Sequence, residues 1–226
     1  MTDSIKHYLP EVVSSMKRNG TWDYYYNAWN ILIESYISED KLQTALLEAQ
    51  KMYADARSRK SNYGLGFSTY GMACIYQTMG RFKEAEKTIE ESIAALSKED
   101  EISQLLSAYN VLGEILDGLG KYDKLRVKST EWKGIIDKYK REALKKGYTP
   151  LLNGRYLYCT LAAAIAELET GHYDRAKGLL QQAEKYAEGR KAVARFKLLQ
   201  VKARYYAAIK QYDQAIACNN ENMGII

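Results

Sequence analysis

Residues able to do acid–base or nucleophilic chemistry are few in this chain. It has two histidines, His7 and His172, and three cysteines, Cys74, Cys159 and Cys218. A histidine-based triad needs a positioned base beside a nucleophile, and a zinc site needs several closely spaced ligands. No CxxC or CxxH spacing occurs. His172 falls in a turn, at a place that Arg81, Lys121 and Gln211 fill elsewhere in the chain. The cysteines lie in apolar helical stretches, and an odd number cannot pair completely. They read as buried free thiols of a reducing compartment. Gly64-Leu65-Gly66-Phe67-Ser68-Thr69 lacks the third glycine of a dinucleotide loop, and no strand precedes it. Gly120-Lys121 has Ile115 where a phosphate loop has its first glycine. Glu90/Glu91 and Glu99/Asp100/Glu101 fall at helix ends and outer faces and read as solvated charge. The expectation is a chain with no catalytic residue, no metal ligand and no small-molecule cofactor.

A basic stretch offers a different chemistry. Residues 121–146 hold ten cations, from Lys121 to Lys146, against the four acids Asp123, Glu131, Asp137 and Glu142. Such a helix could bind nucleic acid or an anionic membrane. A nucleic-acid-associated adaptor using the helix 121–146 is therefore the alternative reading. Acids are interleaved and the net charge of the 226 residues is only +5, so a solvated face is favoured and nucleic acid is disfavoured as a partner.

The elements that position these residues follow from composition and pattern. Hydrophobic residues make up 46% and charged residues 27%, which fits a folded chain. Only two prolines occur, which favours long helices. No apolar run reaches the roughly 18 residues of a membrane span; the best, Cys159 to Leu168, contains Glu167. No membrane span is expected, and the sequence as given reads as soluble and cytoplasmic, or periplasmic if a leader was removed.

One segment recurs: small residue, polar residue, aromatic, two residues, Ala. It appears as Gly80-Arg81-Phe82-Lys83-Glu84-Ala85, as Gly120-Lys121-Tyr122 through Leu125, and as Gly171-His172-Tyr173 through Ala176. Further copies are Lys210-Gln211-Tyr212 through Ala215 and the degenerate Asp40-Lys41-Leu42 through Ala45. The Ala-equivalent positions 45, 85, 125, 176 and 215 are separated by 40, 40, 51 and 39 residues. Upstream, Trp29, Leu32 and Tyr36 recur as Thr69, Met72 and Tyr76, then as Tyr109, Leu112 and Leu116. A small residue follows the middle position in most copies: Ala73, Gly113, Ala164 and Ala203. This pattern describes two antiparallel helices meeting at a short turn, where Gly takes a positive φ at the end of the first helix. The aromatic should open the second helix and plug the gap between the two. One such pair cannot bury its apolar face alone, so neighbours must stack.

These residues resemble the tetratricopeptide repeat, whose pattern is W-x2-L-G-x2-Y, then G-x-Y-x2-A. The resemblance covers roughly residues 22–226. The period is about 40 where that family's is 34, the closing Pro is missing, and Leu125 stands where Ala is usual. It implies an all-α, right-handed superhelical solenoid of antiparallel helix pairs. We expect a single helical-repeat domain over 1–226, with an N-terminal helix in 1–20 and repeats at about 22–60, 62–100, 102–147, 150–190 and 191–226. The third copy should carry an overlong second helix ending near Gly147.

In that family the first helix of each pair lines a concave groove. The facing positions map onto Asn27, Asn30 and Glu34 in the first copy, and onto Phe67, Tyr70, Cys74 and Gln77 in the second. The third supplies Asn110, Glu114 and Asp117, the fourth Tyr158, Leu161 and Ile165, and the fifth Lys197, Gln200 and Arg204. A mixed polar and aromatic strip of this kind suits a protein or peptide partner. Most of the 20 tyrosines should instead fill gaps between helices. The aromatic detail and the Tyr63-Gly64-Leu65-Gly66 segment resemble the repeat regions of bacterial two-component sensor histidine kinases, which implies a sensory or scaffold role in a larger signalling protein. Any kinase activity would lie outside this chain. The last helix, from Tyr212 to Met223, should leave an apolar stripe at Ala215, Ile216 and Met223. The chain is therefore expected to continue, or to form a homodimer through its C-terminal end.

Overall fold

The computed structural model describes residues 2–99, 101–189 and 192–224, with side chains from Pro10 onward. Among the described residues there are eleven helices and no strand. They are α1 (Thr2–Asn19), α2 (Trp22–Ser38), α3 (Leu42–Ser58), α4 (Asn62–Thr78), α5 (Phe82–Leu96) and α6 (Ile102–Gly118). After these come α7 (Tyr122–Lys145), α8 (Asn153–Glu169), α9 (Tyr173–Ala187), α10 (Ala192–Ala208) and α11 (Tyr212–Met223). Pro10 lies inside α1. Six of the helices have 17 residues, and α7 has 24. The first 40-residue period is thus two 17-residue helices, α2 and α3, with a three-residue link after each; in the next, α5 has 15 residues and the connection to α6 is longer. The helices, more than the links, stretch the period beyond 34.

The links between the first and second helix of each pair share one construction. At the end of α4, Gly80 has a φ of 71°. Its N–H donates to the carbonyl of Gln77 at 3.0 Å, and the N–H of Arg81 reaches back to the carbonyl of Tyr76 at 2.8 Å. This pair of bonds closes a helix C-terminus over a left-handed residue. Arg81 is also the N-cap of α5, and its carbonyl accepts from Ala85 N–H at 3.0 Å. One residue therefore ends one helix and starts the next. The repeat motif written in the sequence is this link. Gly120 and Gly171 occupy the same conformation, and so do Asp40 at φ 57° and Lys210 at φ 63°, where the degenerate copies have no glycine. Lys60, between α3 and α4, has a φ of 56°.

Contacts group the helices into two compact units, Met1–Ile115 and Leu116–Ile226. In the first, α2 packs on α3, α3 on α4, α4 on α5, and α2 also touches α4. Its core includes Tyr26, Ile33, Ala45, Met52, Ala73, Ile75, Ala85, Ile89 and Leu96, all without exposed surface. A Cβ added at Gly64 would lie 2.6 Å from the Tyr26 ring, and one at Gly66 would lie 2.5 Å from Leu96. The Gly66 carbonyl accepts from Ser92 Oγ at 2.7 Å. Gly64-Leu65-Gly66 is therefore a seam where α4 approaches its neighbours. In the second unit, α7 packs on α8, α8 on α9 and α10, α9 on α10, and α10 on α11. Leu157, Leu161, Ala164, Leu168, Ala176, Leu180, Leu198 and Tyr205 form its apolar cluster. The small positions Gly113, Ala164 and Ala203 are buried.

The aromatic of the link opens each second helix except α3, which starts at Leu42, but it does not plug every gap. Phe82 and Tyr122 are half-buried, whereas Tyr173 and Tyr212 are 41% and 60% exposed. The tyrosines that do fill gaps also bond. Tyr26 hydroxyl donates to Asp55 at 2.9 Å, and Tyr156 hydroxyl donates to Asp137 at 2.7 Å. Trp29 Nε1 donates to Glu48 at 3.1 Å.

Two substitution pairs test these packing and backbone assignments. Gly66→Ala should lower stability in urea unfolding by about 1–3 kcal/mol through overpacking. Gly134→Ala, on α7 with nothing within 4 Å of the new methyl, should raise it by up to about 1 kcal/mol. Equal effects at both positions would contradict the close approach of α4 to α5. Lys60→Gly and Lys210→Gly should each stabilise by about 0.5–1 kcal/mol, because glycine relieves left-handed strain that exceeds its entropic cost. A loss of stability on both would show that these links are not left-handed.

Candidate functional site

In the first unit the expected groove residues of three first helices converge. Asn30 on α2 is 4% exposed, and its Nδ2 donates to Glu34 Oε1 at 2.9 Å. Gln77 on α4 donates through Nε2 to Glu114 Oε2 of α6 at 3.2 Å. Between them lies Cys74, whose thiol is pushed up to about 12 by burial, with the charges of Glu34 and Glu114 acting in the same direction and a Tyr70 hydrogen bond opposing them. One thiol thus senses carboxylates from both neighbouring helices. Glu34 is exposed, while Tyr70, Gln77, Asn110 and Glu114 are half-buried. Phe67 is 5% exposed and stacks on Tyr63, with ring centroids 4.6 Å apart. It belongs to the packing beneath the face. This face offers carboxylate and amide oxygens, so it suits a partner that brings N–H donors.

In the second unit a groove of about 520 Å³ is lined by Asp117, Ile165, Lys197, Gln200, Arg204 and Asn219 among others. Its charged feature is a clasp. Arg204 Nη1 and Nη2 donate to the two Asp117 oxygens at 2.7 and 3.1 Å, and Nη2 also donates to Glu169 Oε1 at 2.6 Å. These bonds hold the guanidinium pKa above its already high value, against the opposing effect of burial. Arg204 is thereby committed to two carboxylates of its own chain and does not offer an open fork to a ligand. Tyr158 is half-buried. Leu161, expected to face the groove, is 4% exposed and sits in the core, because α8 is covered by both α9 and α10.

Glu169 and Asn219 were not among the residues read from the sequence. A signal for Glu169 was present. Asp117 and Glu169 both sit in the last turn of a helix, where the dipole disfavours a carboxylate. Acids at such positions call for a cation, and Arg204 supplies it.

The basic helix α7 has acids for many of its cations. Arg126 pairs with Asp123 at 3.1 Å and with Glu167 at 3.0 Å, Lys128 with Glu131 at 2.8 Å, and Lys133 with Asp137 at 2.7 Å. His172 Nδ1 lies 3.1 Å from Glu167 and 3.0 Å from Thr170 Oγ1, in the link before α9. Cys74, Cys159 and Cys218 are free thiols. Among the described residues no group of three or more His, Cys, Asp or Glu is placed to hold a metal ion. Among the same residues no helix is long and apolar enough to cross a membrane.

Residues 69–95 match the family model of the tetratricopeptide repeat. No curated protein matches the chain. Among solved structures, BtubC (BKLC) from P. vanneervenii is similar at 14% identity and a TM-score of 0.74, over 99% of this chain and 89% of that one. A putative kinesin light chain from Podosopora anserina, with nearly identical TPR-like repeats, is similar at 18% identity and a TM-score of 0.62, over 90% of this chain and 95% of that one. A substituted form of that kinesin light chain gives 0.64 at the same identity. At these identities the likeness shows the fold. Residues 69–95 thus match the tetratricopeptide repeat, and the chain has the all-helical fold of tetratricopeptide-like repeat proteins.

Proposed function

We propose that this chain is a non-catalytic scaffold that binds a protein segment along its first-helix faces. The observation that carries this reading is the convergence of Asn30, Glu34, Tyr70, Cys74, Gln77 and Glu114 from α2, α4 and α6 on one face. Their hydrogen bonds hold acceptor oxygens and a tyrosine at a fixed spacing, so little ordering remains when a partner arrives. The groove lined by Ile165, Lys197 and Gln200 is the corresponding candidate surface in the second unit. The sequence resemblance to the repeat regions of sensor histidine kinases supports a signalling context, in which this chain would be the sensory or interaction part. Ile216 and Met223 of α11, both more than half exposed, are where a second copy would pack if the chain dimerises. Sedimentation across a concentration range, with and without Ile216→Glu, tests that contact.

The peptide reading is tested with peptides selected by display against the whole chain and measured by fluorescence polarisation. Tyr70→Ala and Tyr158→Ala should each weaken the selected peptides at least tenfold while the melting temperature shifts little. Arg204→Ala should behave differently. It leaves Asp117 and Glu169 without their cation, and at about one-third exposure the loss should be about 1 kcal/mol of stability. Tyrosine variants that unfold the chain, or that leave the affinity unchanged, would assign these side chains to packing and overturn the reading.

A further inference from the structure

The connection from α7 to α8 departs from the repeat, and it carries a surface that the groove does not explain. Here α7 runs to Lys145, seven residues past the 17-residue length of its neighbours. The helix closes over Gly147 at φ 82°, and the chain continues through Tyr148, Thr149, Pro150 and Leu151 before α8 begins. Along residues 138–151 stand five cations, Lys138, Lys140, Arg141, Lys145 and Lys146, against the single acid Glu142. Lys138 lies 3.9 Å from Glu142, and Lys140 lies over the Tyr156 ring at 5.9 Å. Lys145 and Lys146 make no ion pair among the described residues. Interleaved with these cations are two exposed leucines and Tyr148, whose hydroxyl is hydrogen-bonded to that of Tyr139. Leu144 is 50% exposed, Tyr148 47% and Leu151 97%.

The combination narrows what can cover it. Solvated charge alone does not call for three large apolar side chains in water within eight residues. A nucleic acid would reward the cations but not Leu151 or Leu144, since its surface at the backbone is phosphate and sugar. A peptide would seat against a concavity, whereas a leucine that is 97% exposed stands on a projection with nothing around it. An anionic lipid surface answers both halves of the pattern. Its phosphates attract lysines close to the plane, and its headgroup–acyl boundary takes up leucine and tyrosine side chains.

We propose that the α7–α8 spur docks the chain peripherally on an anionic lipid surface. Leu144, Tyr148 and Leu151 enter the boundary region, and Lys140, Arg141, Lys145 and Lys146 lie against the lipid phosphates. This inference is independent of the peptide reading, because none of these residues lines the groove or the first-helix face.

Flotation of the full chain with unilamellar vesicles tests it, comparing phosphatidylcholine alone with a 70:30 mixture of phosphatidylcholine and phosphatidylserine in 0.1 M salt. The chain should float with the mixed vesicles and stay behind with the neutral ones. Each cation near the surface contributes roughly a fivefold gain in partition, so Lys145→Gln with Lys146→Gln should lower it about 25-fold. Leu144→Ser with Leu151→Ser should lower it about tenfold while the charge is unchanged. All four positions are exposed, and unchanged dichroism and melting would show that the variants remain folded. Failure to float with anionic vesicles would overturn the proposal, as would partition indifferent to the leucine pair. Retention on duplex DNA without vesicle binding would assign the spur to a polyanion and overturn it equally.

Discussion

The reversal of the chain at the end of the first helix of each pair is the constraint on which the rest depends. A helix C-terminus leaves carbonyls without partners, and here two backbone bonds across a left-handed residue satisfy them while turning the chain. The residue after the left-handed one then caps the following helix with its own carbonyl, as Arg81 does for Ala85. A link this short leaves two helices no choice but to lie antiparallel and side by side. Their spacing is then set by what stands between them. Ala85, Ala176 and Gly66 permit a close approach, and Ser92 uses that approach to reach a backbone carbonyl. The regular links and small residues together explain why the period can lengthen without loss of architecture. In α2 and α3 both helices have 17 residues and the links keep three, whereas the pair α4 and α5 keeps the same spacing with a shorter second helix and a longer connection to α6.

The first-helix faces are a by-product of that alternation. Because every second helix presents the same side, side chains far apart in sequence come into register, as Glu34, Cys74 and Glu114 do on α2, α4 and α6. Charge on these faces is held by the chain itself. Gln77 is spent on Glu114, and Arg204 on Asp117 and Glu169. The Arg204 clasp also resolves a local conflict, since Asp117 and Glu169 each oppose the dipole of the helix they terminate. It ties the end of α8 and the last residues of α6 to the middle of α10. Arg204, expected on the groove, is thus bonded to two carboxylates of its own chain.

The helical class, the helix-pair repeat and the position of the links were legible in the amino-acid sequence, because they rest on local chemistry: Gly80, Gly120 and Gly171 at left-handed positions, the aromatic opening the following helix, and Ala at the first buried turn. The overlong α7 was legible as well, from the 51-residue spacing. What lay beyond the sequence was decided by packing. Asp40, Lys60 and Lys210 adopt left-handed backbones without being glycine, at a cost least for aspartate and met by the packed helices on either side. Tyr173 and Tyr212 remain exposed despite their place in the motif, and Leu161 turns inward despite its place on the expected face. Which carboxylate each cation answers to was also beyond the sequence, because Arg204 and Asp117 stand 87 positions apart. Local rules determined where each helix starts and ends. Only the tertiary structure decided which side chains meet, because burial and ion pairing depend on distances that the order of residues does not contain.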